Sequence, residues 1–351
     1  MAYTTINKPS SYFTPTLYTG TGSSQSITTV GFKPDWVWIK DRTSANNHRE
    51  YDIIRGATVE LYPNLTDADT TQAQSLTSFN SNGFSLGNLA QVNTNGNNYV
   101  SWNWLAANST TTNTSGTISS TVSANTTAGF SVVSYTGSNS NTTVGHGLGV
   151  APNMIIVKNR TSATNYWATY HSSLGNGQLL RINATDASIS AGYWNNTSPT
   201  STVFSVQANN LEINQSGSNY IAYCFAQIKG YSAFGSFTGN GSTNGTFVYT
   251  GFKPAFFLVK GSSNTSDWII FDNKRDPINV VGRLLLPNTS GSESNLIATH
   301  YPLDFVSNGF KMRTDQLTGT TSLNASGVTY IYAAFAENPF VSATAIPTTA
   351  R

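Results

Sequence analysis

The sequence predicts an all-β protein made of three tandem antiparallel β-sandwich domains, jelly-roll-like in coarse outline and related by an internal repeat. Three observations predict it. The pattern Pro, variable residue, four mostly apolar residues, Lys occurs at residues 34–40, 152–158 and 254–260. An aromatic-Thr-Gly triplet precedes each copy, at Tyr18-Thr19-Gly20, Tyr135-Thr136-Gly137 and Phe237-Thr238-Gly239. Each copy is followed by a similar closing segment, "NYVSWNWLA" (98–106), "NYIAYCFAQ" (219–227) and "TYIYAAFAE" (329–337). Landmarks recurring in one order, with variable segments between them, are the signature of duplicated structural units. They divide the chain into units 1–108, 109–229 and 230–351.

Within each unit the local pattern is that of strands. "MIIV" (154–157) and "FFLV" (256–259) are short continuous apolar runs after a proline, as expected where both faces of a strand are covered. Pro stands where no ladder donor is needed, and the terminal Lys is expected to reach water. Val37, Ile39, Ile155, Val157, Phe257 and Val259 should therefore lie in three separate cores. In the closing strand, Val100, Trp102 and Trp104 alternate with Tyr99, Ser101 and Asn103, and the counterparts Ile221, Tyr223, Phe225 and Ile331, Ala333, Phe335 keep one face apolar. "SNGFSL" (81–86) matches "SNGFKM" (307–312), with the weaker "ANNLEI" (208–213) in the middle unit. Asn-Gly pairs supply turns at strand-like intervals, and no segment sustains a capped 3.6-residue period. The polar stretch 108–129 reads either as a linker or as an edge strand around Ile118 and Val122. Only "KGYSA" separates units two and three, so these should abut.

Composition narrows the functional classes. Charged residues are 10% of the chain and the net charge is +2, with no Lys/Arg cluster, which argues against a nucleic-acid partner. The N-terminal residues lack the basic and apolar regions of a secretory signal, and no apolar run is long enough to insert in a membrane. The single cysteine, Cys224, excludes an intrachain disulfide and a Cys-based metal site, and it aligns with Asn103 and Ala334 as a packed thiol.

The search for chemistry gives little. "GFSLG" (83–87) fits the nucleophile-elbow pattern, but Ser85 aligns with Glu212 and Lys311, as an exposed strand position would. His48, His146, His171 and His300 show no metal-ligand spacing, and no cofactor or metal site is expected. Asp52 and Arg55 align with Asp272 and Arg275; an i,i+3 ion pair pinning a loop is the expected role, with a ligand site as the alternative. The middle unit has "YHSSL" (170–174) there instead. Tyr193, Trp194 and Asn195 lie in a polar loop, the pattern of an aromatic platform for a sugar ring; the alternative is a loop aromatic folded onto its own unit.

The start "MAYTTINKPSSYF", the line "GFKPDWVWIK" (31–40), "TVGHGLGVAPNMIIVKNR" (143–160), "DNKRDPIN" (272–279) and "IYAAFAENPF" (331–340) resemble a family of structural proteins from tailed phages, especially marine ones such as cyanophages and pelagiphages. The resemblance covers nearly the whole chain. It implies a virion protein made in the host cytoplasm: a tail-fibre or tail-spike-like adhesin that contacts the host surface, without enzymatic activity. It further implies assembly as a homotrimer, contact with other virion proteins, and a host-surface glycan as receptor. A capsid-surface decoration or fibre protein is the alternative, and a polysaccharide depolymerase the reading from a different class.

Overall fold

In the computed structural model, residues 3–297, 299–314, 319–344 and 346–347 are described. The chain is built of antiparallel sheets, with one four-residue α-helix, Ala90–Asn93, among the described residues. Three sheets share the same central order. In the first, Phe13–Thr19, Asn98–Trp104, Trp36–Asp41 and Arg49–Asp52 lie side by side; in the third the order is Ser232–Thr238, Thr329–Pro339, Phe252–Gly261, Trp268–Asp272. The middle sheet repeats it as Phe130–Thr136, Asn219–Phe225, Met154–Asn159, Ala168–His171 and adds two strands at each edge. Register agrees too: Trp36 faces Trp104, Met154 faces Phe225 and Phe256 faces Phe335.

A smaller sheet covers one face of each large one: Gln25–Ile27 with Gly83–Leu86 and Leu76–Asn80; Thr142–Gly145 with Val203–Val206; Phe247–Tyr249 with Gly309–Met312 and Leu303–Val306. The turn glycines Gly83 and Gly309 are required here, because the carbonyls of Ile27 and Val248 occupy the space a Cβ would need. The middle counterpart of "SNGFSL" is therefore Val203–Val206, which faces Thr142–Gly145, and not 208–213. That segment forms turns, and Glu212 pairs with Arg181. The stretch 108–129 holds two edge strands, Thr111–Asn113 and Ser120–Asn125, the latter paired with Phe130–Thr136.

Between each large sheet and its small partner lies a local core. Val37 and Ile39 belong to the first, Ile155 and Val157 to the second, Phe257 and Val259 to the third, all fully buried. Cys224 packs in the second; burial pushes its thiol pKa far up, so it stays protonated. The alternate residues, which point the other way, build a fourth core common to all three sheets: Trp36, Trp38, Trp102 and Trp104 from the first, Met154, Ile156, Tyr223 and Phe225 from the second, Phe256, Leu258, Ala333 and Phe335 from the third. Equivalent positions of the three closing strands meet pairwise at its centre. Ring centroids are 5.7 Å apart for Trp104 and Phe335, 5.9 Å for Phe225 and Phe335, and 6.3 Å for Trp104 and Phe225.

The terminal lysines differ from expectation: Lys40, Lys158 and Lys260 do not reach water. Each is buried, with its ammonium donating to oxygens of the following turn: Lys40 to Asp41 O (2.7 Å), Lys158 to Asn159 O (2.7 Å), Lys260 to Gly261 O (2.9 Å). Burial pushes each pKa down, to about 8, against the pull of nearby carboxylates. The turn carbonyls supply what the solvent would have supplied.

Because one core is common to three sheets, the chain should unfold as one unit. We expect a single calorimetric transition. Trp104→Ala should lower the stability of the whole by about 3–5 kcal/mol without splitting that transition. Three separate transitions in the wild type would contradict a shared core.

Candidate functional site

The polar residues singled out by the sequence lie mostly at seams between sheets. Asp52 ends the outer strand of the first sheet and turns back to Arg55, with Oδ2 to Nε at 2.5 Å and both side chains wholly buried. Its Oδ1 accepts from the backbone N–H groups of Ile54 and Arg55, an arrangement that fixes the loop. The same geometry recurs at Asp272 and Arg275, with Oδ2 to Nε at 2.6 Å. Each carboxylate also takes a hydrogen bond from another sheet: Tyr223 donates to Asp52 (3.0 Å), and Trp102 Nε1 donates to Asp272 (3.0 Å). In the middle sheet His171 stands at this position, and its Nε2 donates to Tyr332 O of the third (3.1 Å). The three contacts join the second sheet to the first, the first to the third and the second to the third, so together they close a ring.

A second ring runs along the other edges. Asp69 N donates to Arg160 O, Ser188 N to Ser262 O and Glu293 N to Arg42 O, at 2.8–3.1 Å. Two of these carry ion pairs as well, Arg160 with Asp69 (2.6 Å) and Arg42 with Glu293 (2.8 Å). Trp167 donates from Nε1 to Leu65 O and Trp268 to Arg181 O; His48 takes the equivalent place in the first sheet. His48 Nδ1 accepts from Trp38 Nε1, which leaves Nε2–H to donate to Leu286 O (3.1 Å). Burial holds this imidazole far below its usual pKa, hence neutral. His48, His146 and His171 are thus consumed by structural hydrogen bonds. Among the described residues no cluster of His, Cys, Asp or Glu has metal-binding geometry.

The loop at Tyr193, Trp194 and Asn195 does not form a sugar platform. Trp194 is buried in the second local core, stacks edge-on against Tyr170 and donates from Nε1 to Gln178 O. Tyr193 is half-buried against the same core, its hydroxyl held by Arg181. Asn195 adopts a positive φ of 50° in the turn. A ring facing inward has no face to offer a ligand. Ser85 is equally occupied, its Oγ lying 2.9 Å from Ser26 Oγ and accepting from Asn80 Nδ2.

What sequence reasoning missed is an exposed aromatic face on the third small sheet. Phe247 and Tyr249 lie two residues apart on one strand and are 47% and 55% exposed. By register, the first small sheet carries Ser26 and Thr28 at these positions, and the second Thr143 and Gly145. Tyr3 donates to Gly251 O, so its hydroxyl accepts from that of Tyr249 (2.9 Å) and fixes the ring. Lys311 lies across from Phe247 and reaches Asn244 (2.6 Å). Beyond it, Thr243, Asn244, Val280, Tyr301 and Arg313 line an open groove of ≈ 630 Å³. The signal was present in the sequence: two aromatics where the other two small sheets have Ser, Thr or Gly.

Comparison with known proteins places the chain in one family, described as a domain of unknown function (DUF7483), which matches residues 8–339; the chain belongs to that family. No curated protein matches it. Among solved structures, the crystal structure of the STIV MCP aligns at 8% identity over 58% of this chain and 84% of that one, with a TM-score of 0.16, too low to support any argument.

Two outcomes are expected at the seams. Arg275→Ala should cost about 3–5 kcal/mol, because it strands Asp272 as an unpaired buried carboxylate, and Arg55→Ala should behave alike. Melting like the wild type in both variants would contradict a structural role. Burial lowers the His171 pKa to about 4. Between pH 6.5 and 4 the unfolded chain takes up a proton that the folded chain refuses, so this residue's contribution to stability falls as pH falls through that window. Burial raises Glu50 to about 8, an effect of opposite sign, so the test is differential. Relative to His171→Gln, the wild type should lose up to about 3 kcal/mol over that window in denaturant titrations; a constant difference would contradict it.

Proposed function

We propose that this member of the DUF7483 family is a phage virion structural protein, a tail-fibre-like adhesin that contacts the host cell surface and performs no catalysis. The observation that carries the reading is the exposed face at Phe247 and Tyr249, present on one of the three small sheets. The rest of the molecule is spent on closure: two rings of intersheet contacts and a shared aromatic core hold the three sheets as one block without a disulfide. Such a block suits a particle surface, where durability must come from packing. The low charge of the chain suits varied salt, since little of its stability rests on screened ion pairs. Association with other virion proteins and with further copies as a homotrimer belongs to this reading. The internal ring already supplies threefold closure within one chain, so native mass spectrometry of the purified protein reads any trimer separately.

The test is location. Antibody raised against the purified chain should label intact virions at the tail. Labelling of the capsid would replace the adhesin with a decoration protein, and no labelling would remove the virion setting. Release of reducing ends from host polysaccharide would overturn the non-enzymatic reading.

A further inference from the structure

We infer that the outer face of the third small sheet binds a saccharide chain, with sugar rings stacked on Phe247 and Tyr249 and their hydroxyls held by Lys311, Asn244 and Arg313. The inference rests on the adhesin reading and names its ligand class.

Three features of the face carry it. The first is geometry: side chains two apart on a strand point the same way and lie about 7 Å apart, so Phe247 and Tyr249 offer two ring faces in a row. Tyr249 is fixed by its hydroxyl bond to Tyr3, whose own ring lies under the Lys229 ammonium at 4.6 Å. A platform held in place loses little freedom when a ligand settles on it.

The second is chemistry. A pyranose has an apolar C–H face that lies against an aromatic ring and a rim of hydroxyls that needs donors and acceptors beside it. Here the aromatics alternate with such groups. Lys311 and Arg313 leave the same face of the neighbouring strand, and Asp304 lies opposite Lys311 with Arg313 Nε at 3.5 Å from its carboxylate. The arginine side chain is 45% exposed, so its fork also meets solvent. Tyr301, 54% exposed, continues the aromatic series on the far side of the groove.

The third is scale. A stable protein interface takes about 800 Å² and 20–30 residues from each side, whereas this face presents two rings and then polar groups. An extended saccharide needs only a strip of that width. Nor does the fold demand an aromatic there, since Ser26 completes the first small sheet at the position of Phe247.

The experiment uses the full-length chain on an array of immobilised bacterial capsular and lipopolysaccharide O-chain oligosaccharides, alongside adsorption to host cells with and without periodate cleavage of their surface glycans. The wild type should retain a subset of saccharides, and periodate should abolish adsorption. The double variant Phe247→Ala, Tyr249→Ala should bind at least about fivefold more weakly, as expected for losing two stacking rings worth about 0.5–1.5 kcal/mol each. Both rings are exposed, so its melting temperature should not change. Tyr166→Ala, which removes an exposed aromatic of the middle unit, should bind as the wild type does. Adsorption that survives periodate would overturn the saccharide while leaving the adhesin standing. Saccharide binding undiminished in the double variant, or equally lost in Tyr166→Ala, would overturn the site. A chain that neither adsorbs to cells nor binds saccharide would take the adhesin reading down with it.

Discussion

The contact among Trp104, Phe225 and Phe335 is the constraint on which the rest of the structure depends. Three rings from equivalent positions of three closing strands can meet only if the sheets converge with their inner faces toward one axis. That arrangement explains why the strands Trp36–Asp41, Met154–Asn159 and Phe252–Gly261 are buried at nearly every position and carry unbroken apolar runs at 36–39, 154–157 and 255–259. One face looks to the local core and the other to the common one, so neither has an exposed side on which polar residues would be favoured. It also explains why the local small sheets suffice at only two or three strands. Each covers one face of a larger sheet whose other face is already buried, and a sheet that small would not stabilise an independent sandwich.

Packing rings around an axis is not by itself specific, since apolar side chains tolerate sliding. The seams supply the register. The carboxylates of Asp52 and Asp272 each serve a local arginine and a donor from the next sheet, so a shift of one sheet along another would strand a buried charge. His171 keeps the position in the middle sheet with a neutral ring, donating to a carbonyl where the acids accept. The same freedom appears at His48, which does with one ring nitrogen what Trp167 and Trp268 do with their indoles. The geometry of the donor is retained while the residue type changes. Lys158 and Lys260 add a further tie, reaching Thr66 O and Thr185 O of the preceding unit as well as their own turns.

Periodicity made the strands and the three local cores legible, because alternation along a strand reports which side chains are buried. It does not report what buries them. Trp36, Trp38, Trp102 and Trp104 read as core residues from the sequence, yet nothing local distinguishes a core within one unit from a core common to three. The lysines misled for a related reason: a charged group at a strand end ordinarily reaches solvent, and only the turn that folds over it reveals a cage of carbonyls. Trp194 misled through its neighbours. Its polar surroundings describe the outside of the loop, while the indole fills the inside. In the middle unit the partner strand was displaced in the reading from Val203–Val206 to 208–213, because the Asn-Gly turn that marks Gly83–Leu86 and Gly309–Met312 is missing there.

Three sheets built on one central strand order share the demands of that order, so positions where all three agree speak mostly of packing. Function must be sought where one copy departs from the others without a structural return. His171 and His48 depart but recover an equivalent hydrogen bond, which accounts for them. Phe247 and Tyr249 depart with both rings largely exposed, where the hydrophobic effect penalises them; Tyr249 recovers one hydroxyl hydrogen bond, to Tyr3, and the smaller residues of the other sheets complete the same ladder. Tyr3 then spends a hydroxyl on holding one of those rings still. An exposed aromatic pair with one ring held by a hydroxyl bond, at positions where the first small sheet manages with smaller residues, is what separates this face from the remaining surface and makes it the place to test for a contact outside the chain.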